Sequence, residues 1–147
     1  MLVVSKYYKE ISEQLLAGSI EELKKNESTW EILEVPGAFE IPAAISMSIN
    51  SNKELKSSNP IDGYVALGCV IRGATDHYDH ICREVSRELM ELTVKQSMPH
   101  GFGILTCENY EQAWERADIK DRDVGGRAAL ACCRMLTVFK KINDGSV

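Results

Sequence analysis

Apolar positions along the chain follow two rhythms. Short uninterrupted runs alternate with longer segments in which apolar residues recur every three or four positions, and this predicts βαβ units around a parallel sheet. "LVVS" reads as a brief first strand, after which Ile11, Leu15, Leu16, Ile20 and Leu23 recur at helical spacing until "KKNES". "TWEILEV" is a second strand. "VPGAFEIPAAISMSI" turns at Pro36-Gly37 and enters a helix on which Ile41, Ile45 and Ile49 share a face, with Pro42 suited to its first turn and the polar stretch "NSNKELKSSNP" closing it.

"DGYVALGCVI" has no polar alternation, so this third strand is expected to be covered on both faces, as an interior parallel strand is. From His77 to Ser97, the residues Ile81, Val85, Leu89 and Leu92 predict a long helix with one buried stripe, broken by "MPHG". "FGILTC" is the fourth strand. Asn109 with Gln112 three residues on resembles a capping pair opening the short helix "YEQAWERA". After a charged loop, "DIKDRD", the residues Val124, Ala128, Ala131, Met135 and Val138 align on a final helix. Four strands make a narrow sheet with two edges, and the first strand is short; such an edge invites coverage by a neighbouring subunit. No repeat, low-complexity tract or linker divides the chain, so one domain over 1–147 is expected.

Composition narrows the partners. The chain has 147 residues, 44% hydrophobic and 27% charged, enough for a real core, and its formal net charge of -5 argues against a broad surface for phosphate backbones. On that charge nucleic acid is not expected; nor is a membrane, because no apolar run approaches the roughly 18 residues a membrane helix needs, and a cytoplasmic location is expected. Five cysteines, Cys69, Cys82, Cys107, Cys132 and Cys133, show no C-x-x-C pair and read as reduced, mostly buried thiols. The common nucleotide and hydrolase fingerprints are absent from the sequence.

In open parallel sheets, ligands collect beyond the carboxyl ends of the strands. That rule selects four loops: Lys6-Tyr7-Tyr8, Pro36 to Glu40, Gly68 to His77, and Thr106 to Asn109. The third, within "CVIRGATDHYDHI", ends the most apolar strand and opens a helix. Gly73 permits close backbone approach, Thr75 offers a hydroxyl, and free N-H groups suit a phosphate or carboxylate. An Arg-Gly turn before a Thr or Asp cap is equally an ordinary helix start. His77 brings a side chain able to move protons in both directions near neutrality. His77 and His80, with Asp76 and Asp79, lack the further ligands of a recognisable metal site, so no metal is expected, and His100 reads as a loop residue. Phe39 suits a lid over a planar ligand and Glu40 an acceptor for hydroxyls, although core packing and a helix-start acid explain them as well.

The segments "VPGAFEIP" (35–42), "LGCVIRGATDHYDHI" (67–81), "FGILTCEN" (102–109) and "EQAWERA" (111–117), in this order and spacing, resemble the lumazine synthase family across nearly the whole chain. The resemblance implies a flavodoxin-like three-layer α/β/α sandwich with a four-stranded parallel sheet. It implies condensation of 5-amino-6-(D-ribitylamino)uracil with 3,4-dihydroxy-2-butanone 4-phosphate to 6,7-dimethyl-8-ribityllumazine, phosphate and water in riboflavin biosynthesis, without metal or organic cofactor. By the same resemblance His77 is the proton-transfer residue, and Ala74 and Thr75 hold the phosphate. Cys69, Val70 and Ile71 line the pyrimidine pocket, Ala38, Phe39 and Glu40 hold the ribityl-bearing uracil, and Tyr7 stacks on its ring. Phe102 and Arg116 come from an adjacent subunit, the arginine toward phosphate, in a homopentamer with shared sites that in some members packs into an icosahedral shell.

Three departures accompany the match. The chain starts at the first strand, Tyr7-Tyr8 stands where the family has an aromatic-Asn pair, and Val124 occupies the place of a substrate-assisting lysine, with Arg122 the nearest substitute. They leave room for a second reading, a flavin- or lumazine-binding shell protein with little turnover.

Overall fold

The computed structural model describes residues 1–55 and 60–146. Its strands are β1 (Leu2–Ser5), β2 (Ile32–Val35), β3 (Tyr64–Ile71) and β4 (His100–Cys107). They form one fully parallel sheet in the order β2-β1-β3-β4. The helices are α1 (Lys9–Lys25), α2 (Ile41–Leu55), α3 (His77–Lys95), α4 (Tyr110–Ala117) and α5 (Val124–Asn143). This is the parallel α/β architecture predicted by the alternation of runs, in the three-layer α/β/α form that the resemblance implies.

Successive residues of a strand point to opposite faces, and here both faces are apolar. Leu2, Val4, Val65, Leu67, Cys69, Leu105 and Cys107 pack with α1, α4 and α5. Val3, Ala66 and Ile104 pack the other way, against Ile41, Ile45, Val85 and Leu89 of α2 and α3. The missing polar alternation in β3 is therefore a consequence of helices on both sides. The short first strand is interior, flanked by β2 and β3; β2 and β4 form the edges, and β2 leaves Ile32 and Leu33 exposed.

Some boundaries and faces differ from the sequence reading. β2 is shorter than "TWEILEV", because Trp30 leaves the ladder and packs its ring on the core, with Lys24 Nζ 5.9 Å from the ring centroid. α2 continues through Ser51 to Leu55 rather than stopping at the polar stretch, whose residues 56–59 lie outside those described. The buried stripe of α5 is Gly125, Ala128, Ala129 and Cys132, whereas Ala131, Met135 and Val138 are exposed. The stripe shifts because α5 meets its neighbours backbone to backbone. A Cβ on Gly125 would lie 2.1 Å from the Leu15 carbonyl oxygen of α1, and one on Gly101 of β4 would lie 2.0 Å from the Ala128 carbonyl oxygen. Ser19 Oγ donates to the Gly125 carbonyl at 2.8 Å, and Asp123, in the left-handed region at φ 42, caps α5 by accepting from the Gly126 amide at 3.0 Å.

His100 is the first residue of β4, not a loop residue, and its ring is largely buried. Thr93 Oγ1 already donates to the Leu89 carbonyl, so His100 Nδ1, 3.1 Å away, must be the donor to that hydroxyl. Nε2 is then a bare acceptor, buried without a hydrogen-bond partner among the described residues. Burial pushes the His100 pKa down from 6.5 to about 4.

Two measurements test these packings. Gly125→Ala should lower the unfolding free energy by about 2 kcal/mol, since a forced overlap of this kind outweighs the roughly 1 kcal/mol that alanine gains over glycine in a helix; Gly73→Ala, with open space around its Cβ position, is the control and should not. A depressed folded-state pKa means the unfolded chain binds the proton first as pH falls. The His100 contribution is thus complete above pH 6.5 and is lost progressively down to about 4, by on the order of 3 kcal/mol. Urea midpoints at pH 7 and pH 5 should differ less in His100→Asn than in the parent chain.

Candidate active site

Because all four strands run parallel, their carboxyl ends lie on one side of the sheet, and the four loops singled out from the sequence gather there. The chain winds outward from β1 to β2, then crosses over β1 to β3. The gap between the β1 and β3 loops is thus the topological switch point at which open α/β sheets bind ligands. An open cleft of about 480 Å³ occupies it. Tyr7 and Tyr8 come from the end of β1 and Gly37 to Glu40 from the turn after β2. Cys69, Val70 and Ile71 form the end of β3, and His77 and Ile81 the first turns of α3. Eight residues assigned from the resemblance, Tyr7, Ala38, Phe39, Glu40, Cys69, Val70, Ile71 and His77, share this one cavity.

Local sequence explains the placement. Ala38–Glu40 forms a single 3-10 turn running directly into α2, with the Glu40 amide donating to the Gly37 carbonyl at 3.3 Å. A Cβ on Gly37 would lie 2.8 Å from Glu40 Oε2, so glycine there lets the carboxylate fold back toward the cleft. Phe39 is 57% exposed and Tyr7 73%, large aromatic faces open to solvent, while Ala38 is buried beneath them. Tyr8 meets Tyr7 edge-to-face at 5.0 Å and is half-buried against the core, which raises its phenol pKa. Cys69 is pushed up to about 12 by burial first and by neighbouring Cys107 second, so its thiol stays protonated and lines the wall as an apolar group.

Ala74 and Thr75 sit in the turn before α3, outside the cavity lining, and Thr75 Oγ1 accepts from the His77 amide at 3.4 Å. Asp76 makes no side-chain cap, and its carbonyl accepts from the Asp79 and His80 amides at 3.1 and 3.2 Å. Asp79 is not free for a metal: its carboxylate is engaged by Arg72, which holds its pKa below the usual carboxylate range. Among the described residues no group of three His, Cys, Asp or Glu is placed to hold a metal ion.

Phe102 and Arg116 are not part of this cavity. Phe102 pairs with Ala66, three positions before Cys69 along β3, hence roughly 10 Å toward the opposite end of the sheet, and it is 44% exposed on the edge strand. Arg116 Nη1 donates to the Gln112 carbonyl of its own helix at 3.0 Å. Arg122 is paired with Glu115 at 2.6 Å, and Val124 packs against the core. The capping pair is present, with Asn109 Oδ1 accepting from the Gln112 amide at 2.9 Å while Gln112 Oε1 accepts from the Glu108 amide at 3.0 Å. Among the described residues, the cleft of one chain therefore carries a carboxylate, an imidazole and two phenols but no lysine or arginine in its lining. Tyr8 and Gly37 lie in the loops selected from the sequence but have no role assigned there, and Ile81 is a cleft residue outside those loops. The helical stripe places Ile81 in the core, and the stripe's amino-terminal end opens on the cavity.

Comparison with known proteins identifies the family. The family model described as 6,7-dimethyl-8-ribityllumazine synthase matches residues 1–140. The protein of that name from Bartonella tribocorum is 45% identical over 144 residues, 98% of this chain and 91% of its own length. Those from Agrobacterium fabrum and Afipia carboxidovorans are each 44% identical over 142 residues, 97% of this chain and 95% and 86% of theirs. A switch-point cleft carrying the G-A-F-E turn and the histidine-led helix, together with a match along nearly its full length, means that the chain belongs to the 6,7-dimethyl-8-ribityllumazine synthase family.

Proposed function

We propose that this chain condenses 5-amino-6-(D-ribitylamino)uracil with 3,4-dihydroxy-2-butanone 4-phosphate in a cytoplasmic homopentamer, as one catalytic domain whose sites lie between adjacent subunits. The observation that carries the shared site is the cleft's charge. One substrate is a phosphate dianion, and among the described residues the lining of the cleft in a single chain offers it no lysine or arginine. Arg116 and Phe102 lie away from their own chain's cleft, the position expected of residues that serve a neighbour's.

In this reading Tyr7 stacks on the uracil, with Tyr8 bracing it edge-on. Ala38, Phe39 and Glu40 hold the ring and its ribityl chain, and Cys69, Val70 and Ile71 form the wall. The phosphate lies at the amides of Ala74 and Thr75 before α3, facing the neighbour's Arg116. The substrate's primary amine attacks the ketone and water leaves as the imine forms. A proton is then removed from C3 as phosphate departs with the C4–O bonding pair, the resulting enol tautomerises to a methyl ketone, and the ribityl-bearing nitrogen closes the ring on that new carbonyl with loss of water. The nucleophile belongs to the substrate, so the chemistry asks the protein for juxtaposition, proton transfer at His77 and stabilisation of the leaving dianion. Holding both substrates together contributes on the order of several kcal/mol, and His77 about a further 10²-fold.

The direct test supplies both substrates and follows the visible absorption of the lumazine, with sedimentation to read the assembly; ligand binding without product would favour the shell-protein reading. His77→Ala should lower turnover roughly 10- to 100-fold with the assembly unchanged. Arg116→Ala should chiefly raise KM for the phosphorylated substrate. Mixed rings of the two impaired variants should exceed the activity of either alone, because some seams then combine an intact histidine with an intact arginine; verified mixed rings without such a gain would refute a shared site.

A further inference from the structure

His77, Ala74 and Thr75 all depend on the turn 73–76, which has little to hold it from within. Gly73 has nothing within 4 Å of its Cβ position, Asp76 makes no side-chain cap, and the Thr75 contact to His77 is long at 3.4 Å. The turn must be set by its ends, and one side chain spans them. Arg72, the residue after β3, donates through Nη1 and Nη2 to Asp79 Oδ2 and Oδ1 at 2.8 and 3.0 Å, reaching the first turn of α3. Its Nε lies 2.9 Å from Oε2 and 3.2 Å from Oε1 of Glu108, just beyond β4. Its guanidinium carbon is 4.1 Å from the Tyr78 ring centroid. The Arg72 amide also donates to the Cys107 carbonyl at 2.9 Å, continuing the β3–β4 ladder by one rung.

Arg72 does not line the cleft, and its guanidinium is shared between two carboxylates, so it is not placed as a phosphate ligand. We propose that Arg72 is a positioning residue for the condensation, one planar guanidinium that locks the first turn of α3, and with it His77 and the 74–75 amides, against the end of β4. The role requires an arginine. A bidentate fork to one carboxylate, with Nε to a second and the plane lying on an aromatic ring, is geometry that a lysine ammonium cannot reproduce. The inference rests on the catalytic reading of this cleft.

Arg72→Lys, Asp79→Asn and their double variant in the full chain test it, with Glu108→Gln removing the other arm should Arg72→Lys fail to fold. Each single change should lower kcat about 10-fold, because small misplacements of reacting groups are costly, with KM for the uracil and the urea midpoint little changed. Amides of residues 74–80 should exchange with deuterium faster. The double variant should be no slower than the slower single one, because both break the same link. Parent-like kcat and exchange in Arg72→Lys, or fully multiplicative losses in the double variant, overturn the proposal. So does a KM increase for the phosphorylated substrate in Arg72→Lys that Asp79→Asn does not share, since that would make Arg72 a direct phosphate ligand. A parent chain that forms no lumazine would instead refute the catalytic reading, and the exchange rates would then decide alone whether the guanidinium orders the turn.

Discussion

A strand that is apolar on both sides needs a layer of helices on each, and in this chain β3 sets that demand. Once α1, α4 and α5 cover one face and α2 and α3 the other, the connections must be crossovers, the sheet must be parallel, and every strand must deliver its carboxyl end to the same side. The reversal of winding between β1 and β3 then opens a gap that no helix fills. The cleft is thus the remainder of a packing problem whose other terms are hydrophobic. Its walls show this origin in Cys69, Val70, Ile71 and Ile81, strand-end and helix residues that belong partly to the core.

Polar groups enter that gap only from loops, and each is aimed by a local constraint. Glu40 is directed by a glycine turn and a single 3-10 turn, Tyr7 by its edge-to-face neighbour, and His77 by the entry of α3. The resulting surface is well suited to a planar, hydroxyl-bearing molecule and poorly suited to a dianion unless a cation arrives from outside the chain. In the proposed shared site, a protein of net negative charge would draw in a phosphorylated substrate by confining positive charge to a seam between subunits, where low local dielectric strengthens each contact.

The elements were legible because run length and periodicity are direct images of burial, and the parallel sheet followed from them. The bare residues left Phe39, Glu40 and the Arg-Gly turn open between site and scaffold, since any helix start near an aromatic looks much the same; the combination of motifs pointed to the family, and the fold brings Phe39 and Glu40 to the cleft. Errors fell where backbone decided the outcome. On α5 the sequence pattern favours the larger apolar residues Met135 and Val138 as the buried stripe, yet glycine and alanine are buried because main chains touch there. His100 looked like a loop residue because Pro99 masks the start of β4, and no periodic signal marks a histidine whose partner is a threonine one strand-approach away. The Arg72 clamp joins positions far apart in sequence and leaves no spacing rule to find it by.

The seam joining α1, α5 and β4 is made of carbonyls and glycines at near-minimum separation, with a capping carboxylate wedged between Gly18 and Gly126. Main-chain atoms have no alternative rotamers, so this side of the molecule cannot absorb change by repacking as the Ile- and Leu-filled side beneath α2 and α3 can. Sequence drift in the two halves should therefore be unequal, with the face of α1 and α5 confined to a very small alphabet while the opposite layer trades one aliphatic for another.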